Sequence, residues 1–326
     1  MGAQRSLLQV LEDICNVDVD AVDPKVICCD TMLKPEYRDM FLDKVEKHGS
    51  EGWEETVKFC SSNLENISGR VLVQVSPRHV YDSEAVLSQF YAYDGAFKEA
   101  AIKISVTGPS MAAAKKLNSE GIRILGTSVF SLAQAIAASQ VDCLFISPYF
   151  NEVAAYSDDS LMHHSEDPAL THPMASRLIH IFENYARLYH QTGGMQPVVI
   201  ASNANIGEVI ATAELGCQHI TILAHHLKEL AETPFDDAVL AKYPILKDPG
   251  PKKQEPYYDS TDHLAGPKWD GTFASTEQDW PADNGAAVTK AMESDPAVVR
   301  KMKDVLGAFL GAEVRAKKAI EEQLAK

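Results

Sequence analysis

Short runs rich in Val, Ile and Leu recur along this chain, and most of them are followed by a stretch with helical periodicity. Candidate strands are residues 17–20, 26–30, 70–75, 101–106, 123–127, 143–147, 197–201 and 219–223, and candidate helices include 83–96, 110–120, 131–139, 172–189 and 206–215. Alternation of this kind implies a parallel sheet, because parallel neighbours need a crossover that a helix supplies. Gly121, Gly193 and Gly216 each fall between a helical pattern and the next strand, where a left-handed cap is expected. Eight such units, with no G-x-G-x-x-G after the first strand, favour a (β/α)8 barrel over an open dinucleotide-binding sheet. The first unit fits poorly. Five residues separate Asp20 from Val26, fewer than a crossover needs, so that unit is either abbreviated or misassigned.

Residues 154–169, polar and acidic, and 233–283, rich in proline, break the alternation and predict long loops. Beyond them, Val298, Met302, Val305, Leu306, Phe309 and Leu310 repeat at helical spacing, so residues 286–326 are expected to form a helix packed on the barrel. The whole chain, 1–326, is expected to be one domain.

The 30 basic and 46 acidic side chains leave a net charge of −16, which repels nucleic acid and anionic lipid alike. No apolar run reaches the length of about eighteen residues that a membrane helix needs, and residues 1–11 carry neither a basic leader nor a long apolar stretch. A cytosolic protein is expected, with neither nucleic acid nor membrane as a partner. The six cysteines lie among apolar runs without C-x-x-C spacing and read as reduced core residues. His163–His164 and His225–His226 are adjacent pairs, which do not converge on one ion, so no metal is expected. Trp269, Trp280, Tyr257 and Tyr258 either line a substrate entrance or anchor the long late loop.

Reactive groups of a barrel lie toward the C-terminal ends of its strands. There, Lys103 interrupts the aliphatic run 101–106, and alternation points it away from the face of Ile102 and Ile104. Burial would disfavour its ammonium form and leave an amine able to form a Schiff base with a carbonyl. The plainer reading is a lysine at a strand edge or paired with a carboxylate.

The surroundings of Lys103 weigh against that plainer reading. Gly69–Val75 with Tyr81–Asp82, Ile102–Ile104, Gly121–Thr127 with Phe130–Ala135, and Ile146–Tyr149 occur in order, and they resemble blocks of the transaldolase family and its fructose-6-phosphate aldolases. Weaker similarity runs through Ala201–Ser202, Asn205–Glu208, Leu227–Leu230 and Lys34–Tyr37. The resemblance implies that Lys103 is the Schiff-base lysine. Gln74, Leu125 with Thr127, and Tyr149 follow the aldolase branch rather than transaldolases proper. It casts Tyr149 as the proton-transferring phenol, Gln74 and Thr127 as groups that orient a water, and Ser147, Ser202 and Leu125 as substrate-lining residues. Asp20 matches the family's first-strand acid, with Asp30 as a rival. Asp30–Thr31–Met32 replaces an asparagine-containing turn that binds donor hydroxyls in the family.

Where the family carries phosphate-binding cations, this chain has Glu152 and Ala204. A carboxylate there repels a phosphate dianion, which implies a substrate without phosphate unless Arg78, Arg123 or Lys228 enters from elsewhere. The resemblance thus implies a class I aldolase acting on a small carbonyl substrate, needing no cofactor and working as a homo-oligomer. The alternatives are a transaldolase moving a dihydroxyacetone unit between sugar phosphates, and a non-catalytic barrel that binds a carbonyl metabolite or partner.

Overall fold

The computed structural model describes residues 4–19, 72–92, 101–156, 158–247 and 274–325. Seven strands are found among them: β1 (Asn16–Val19), β2 (Leu72–Gln74), β3 (Ala101–Ser105), β4 (Ile124–Val129), β5 (Phe145–Pro148), β6 (Val198–Ser202) and β7 (His219–Ile222). All neighbours pair in parallel, in the order β1-β7-β6-β5-β4-β3-β2. Read from β2, the strands follow one another in chain order to β7, and β1 comes last. This is the strand order of a (β/α)8 barrel, whose remaining place lies between β1 and β2. Residues 26–30, the candidate for that place, lie outside the described residues.

The crossover helices start and stop where local chemistry dictates. Thr107 caps α3 (Gly108–Ser119) in a reciprocal box with Ser110, and Ser131 caps α4 (Leu132–Gln140) in the same way with Gln134. His172 Nδ1 accepts from the Met174 amide at the start of α6 (Pro173–Thr192), and Asn205 accepts from the Glu208 amide at the start of α7 (Ile206–Glu214). Gly121, Gly193 and Gly216 have φ of +87°, +66° and +93°, the left-handed turns their positions predict. Helices α1 (Leu7–Leu11), α2 (Ser83–Ala92) and α8 (Ala224–Glu232) add to the helices among the described residues.

Both predicted loops contain helical structure. The first holds two 3-10 turns, Val153–Tyr156 and Asp159–Leu161, and then α5 (Pro168–Thr171). Within 233–283 lie α9 (Asp237–Lys242) and the 3-10 turn Pro244–Lys247. Asp236 starts α9 by accepting from the Ala238 and Val239 amides, while Ile245 and Leu246 bury themselves beside β1 and β7. Segments this short show no legible period. The expected C-terminal helix is two, α10 (Ala282–Ser294) and α11 (Pro296–Leu324). Pro296 cannot continue the preceding helix, and Asp295 caps the new one through the Ala297 and Val298 amides.

α10 begins with three left-handed residues, Asp283, Asn284 and Gly285, and meets α3 so closely at Gly108 and Gly285 that neither could carry a Cβ. The apolar interior falls into two clusters. The larger joins β2–β6 to α2–α4, α6, α10 and α11, and the smaller joins β7 to α1, α7 and the 244–247 turn. Cys15, Cys143 and Cys217 are buried free thiols, and burial pushes Cys15 and Cys143 up to about 12, which closes thiolate chemistry to them. Trp280 anchors its loop, its indole N–H donating to the Ser275 carbonyl and its amide to Gln140. Trp269, Tyr257 and Tyr258 lie outside the described residues. Among the described residues no helix is long and apolar enough to cross a membrane.

Candidate active site

Residues side by side in a parallel sheet project to the same face. The register sets Gln74 beside Lys103, Lys103 beside Leu125 and Leu125 beside Phe145, while Ser105 stands beside Thr127 one step further along. Ile102 and Ile104 point the other way into the apolar layer under the helices, so the Lys103 face is the barrel interior. Lys103 is partly buried, less so than an aliphatic strand alone would suggest, and Leu125 beside it is fully buried. Gln74 is 5% exposed, and neither its amide oxygen nor its nitrogen meets a hydrogen-bond partner among the described residues. Leaving such a group unpaired costs about 1–3 kcal/mol, a cost that a water or a ligand at this point would offset.

Further toward the C-terminal ends, Thr127 and Tyr149 come together. The Thr127 hydroxyl donates to the Tyr149 phenol at 3.4 Å, and the phenol ring stands edge-on to Phe130, with centroids 5.8 Å apart. A bulge at the end of β4 permits this. Ser128 adopts φ +59° and the β4–β5 register shifts between Gly126 and Val129. The buried Gln134 amide holds the bulge, donating to the Val106 and Ser128 carbonyls and accepting from the Phe130 amide. Ser147 is buried on β5. Ser202 ends β6, bridges to Tyr149 through the backbone and meets the Tyr156 hydroxyl at 3.2 Å. Asn203, one residue on, is buried with neither amide atom hydrogen-bonded among the described residues.

Glu152 has a partner that no spacing or motif near it signals. It is 6% exposed, and the Arg300 guanidinium from α11 donates to it at 3.0 and 3.3 Å. Its charge is therefore locally offset, and repulsion of an anion at this point is weaker than an unpaired carboxylate would exert. The Ala204 amide donates to Glu208. Arg78 is paired with Glu313, Lys228 with Glu232 on its own helix, and Arg123 precedes β4 and so lies at the far end of the barrel. Asp20 and Asp30 lie outside the described residues.

Three groups escaped the sequence reading. His219 Nδ1 lies 2.8 Å from Asp18, and the Asn16 amide lies 3.2 Å from Nε2, which fits a neutral imidazole that donates to the carboxylate and accepts from the amide. The i, i+2 spacing of Asp18 and Asp20 was the available signal, since it puts both on one face. Glu208 is 1% exposed and accepts from the side-chain amides of Asn151 and Asn205 and from the Ala204 backbone, joining the segments that leave β5 and β6. Burial pushes it up to about 7 against the pull of those three donors. Lys301, on α11, is 1% exposed, with its ammonium 5.8 Å from the Phe130 ring centre.

A groove of about 530 Å³ runs between the segment after β2 and helices α10 and α11, lined by Tyr81, Met292, Val299, Met302, Leu306 and Leu310 among others. Of the residues weighed above, Arg78 lines it, but Lys103, Gln74, Thr127 and Tyr149 do not. Among the described residues no group of three or more His, Cys, Asp or Glu could hold a metal ion.

The transaldolase/fructose-6-phosphate aldolase family model matches residues 31–262. Transaldolases from three Yersinia pseudotuberculosis strains, of serotypes O:3, IB and I, are each 31% identical over 209 residues, covering 60% of this chain and 62% of theirs. The chain thus spans about three fifths of the length of those curated relatives. A solved IMP dehydrogenase/GMP reductase-like protein from Corynebacterium glutamicum overlaps with a TM-score of 0.37 and 16% identity, covering 68% of this chain and 61% of its own, too slight a likeness to bear on the fold.

Proposed function

The chain belongs to the transaldolase/fructose-6-phosphate aldolase family, and on that premise we propose that it is a class I aldolase that makes or breaks a C–C bond through a Schiff base on Lys103. The observation that carries this reading is the interior register: Lys103 stands beside Gln74, and the Thr127–Tyr149 pair lies further along the same barrel.

In the cleavage direction the Lys103 amine adds to the substrate carbonyl, and loss of water leaves an iminium ion. Gln74 has an open donor and acceptor with which to hold that water. Tyr149 takes the proton from the hydroxyl carried by the far carbon of the bond to be broken, the carbon β to the iminium. As that C–O becomes a carbonyl, the electron pair of the breaking C–C bond passes into the iminium and forms an enamine. Protonation of the enamine carbon and hydrolysis then release the second product and restore the amine. Asp20 is assigned the proton transfer at the Schiff-base carbon, and Ser147, Ser202 and Leu125 the shape of the pocket. The chemistry calls for no cofactor.

The substrate is proposed to be a small ketone or aldehyde without phosphate, since Glu152 occupies Arg300 and the position at Ala204 has no cation. Group transfer remains the competing activity, favoured by the name of the relatives, and it shares the same imine. Borohydride reduction in the presence of dihydroxyacetone, hydroxyacetone or glycolaldehyde, followed by mass spectrometry, is expected to label Lys103. Absence of label across these donors, or equal labelling of Lys103→Met, overturns the reading. Added aldehyde acceptors then separate the two activities: an aldolase cleaves its aldol product without an acceptor, whereas a transaldolase turns over only with one.

A further inference from the structure

Burying an ammonium group costs several kcal/mol unless compensating contacts offset it. Lys301 is nonetheless among the most deeply buried side chains described, set over the face of Phe130. The Phe130 ring is in turn the wall against which the Tyr149 phenol stands edge-on. An ammonium on the face of an aromatic ring is attracted by its quadrupole and resists tilting of the ring. Lys301 thus fixes the plane that the Tyr149 ring packs against.

Its neighbours on α11 hold the same region. Arg300 is bonded to Glu152, Asp304 accepts from the Ala154 amide, and the Met302 sulfur accepts from Gln134, which pins the bulge. The segments before and after Tyr149 are therefore both tied to one turn of a helix that begins about 150 residues later in the chain.

Resting on the reading of Tyr149 as the proton-transferring phenol, we propose that Lys301 is a positioning residue for that phenol, acting through Phe130, so that the C-terminal helix is part of the catalytic apparatus. The proton transfer would need the phenol held to within about 0.5 Å, and an edge-on aromatic contact whose Phe130 ring is held by a cation is a means of doing so.

The test uses the full chain with dihydroxyacetone as donor and glycolaldehyde as acceptor. Lys301→Met should lower kcat about tenfold with KM changed less than about twofold, and imine labelling of Lys103 should be retained. Lys301→Arg, which keeps the cation, should recover most of the loss. In a Tyr149→Phe background, Lys301→Met should cost no more than about twofold, because the group it positions is gone. If Lys301→Met fails to fold, Phe130→Leu takes its place, with the same selective loss of kcat expected. Equal losses in both backgrounds, or loss of imine labelling in step with kcat, would mean that Lys301 serves the fold alone. Tyr149→Phe without effect, by contrast, would remove the reading on which this one rests.

Discussion

Strands β2–β5 and the pair β7–β1 both turn polar side chains into the barrel, but they furnish it differently. On β7 and β1 the polar groups satisfy one another: His219 is held between Asp18 and Asn16. On β2 the Gln74 amide stands beside Lys103 with both its atoms open, and further along the Thr127–Tyr149 contact is long at 3.4 Å. A saturated group has nothing left to offer a substrate, whereas an open one gains a partner when something binds. The chemistry proposed above sits on the open side, which α10 and α11 cover within the larger apolar cluster. The β7–β1 side packs on a separate and smaller one. β6 is the seam between them, and Glu208 ties its exit segment to that of β5.

Loading that seam with charge should have the largest effect. Burial holds Glu208 at about 7, against an ordinary 4.5, so between those values the folded chain keeps a proton that the unfolded chain has released. Stability therefore falls as pH rises through this window, by on the order of 3 kcal/mol once Glu208 is ionised in both states. Glu208→Gln cannot titrate. Urea denaturation of both proteins at pH 4.5 and pH 8 should show the native chain losing ground to the variant by about that amount. A constant difference would mean that the three N–H donors keep the carboxylate ionised throughout, and that the halves are joined by a charge rather than by a neutral acid.

Opening the Glu152–Arg300 pair sharpens the comparison on the open side. Glu152→Gln keeps the shape and releases the guanidinium, which Glu152 now occupies at 3.0 Å. A charge-assisted bond from a freed Arg300 to phosphate should shift kcat/KM toward a phosphorylated acceptor by about tenfold relative to its free counterpart. Competition between the two acceptors in the native chain and the variant measures the shift. A native preference for the phosphorylated acceptor would contradict the proposed substrate class and favour the transaldolase alternative.

Much of the sheet was legible because strand-helix alternation is a local pattern repeated many times, and each described strand lies within two residues of its predicted bounds at either end. The starts of α4 and α7 were read to within a residue, because Ser131 and Asn205 cap through side-chain chemistry within four residues, whereas α3 starts two residues before the expected Ser110, at the Thr107 cap. What escaped is what the chain closes over long separations. Arg300 meets Glu152 across 148 residues, and His219 meets Asp18 across 201. No period or motif marks such partners. Lys301, too, sits in a helical stripe whose sequence gives no sign that its amine is buried against Phe130. The α10–α11 break could have been read from Pro296, but the apolar spacing on its C-terminal side masked it.

The smallest effect expected is on the saturated side. Asp18→Asn preserves size and removes the charge that accepts from His219 Nδ1. The asparagine oxygen can still accept from the same N–H, so the cost to stability should be about 1 kcal/mol, the difference between a charged and a neutral acceptor at a partly exposed site. Turnover should change by less than about threefold, under 1 kcal/mol of barrier, and Lys103 should label as before. Both ring nitrogens of His219 are already engaged, by Asp18 and by Asn16, and a proton relay through it would need one of them to face the substrate. A loss of turnover as large as that expected for Lys301→Met, with KM unchanged, would move part of the chemistry to β1 and β7 and erase the division between the two halves of the barrel.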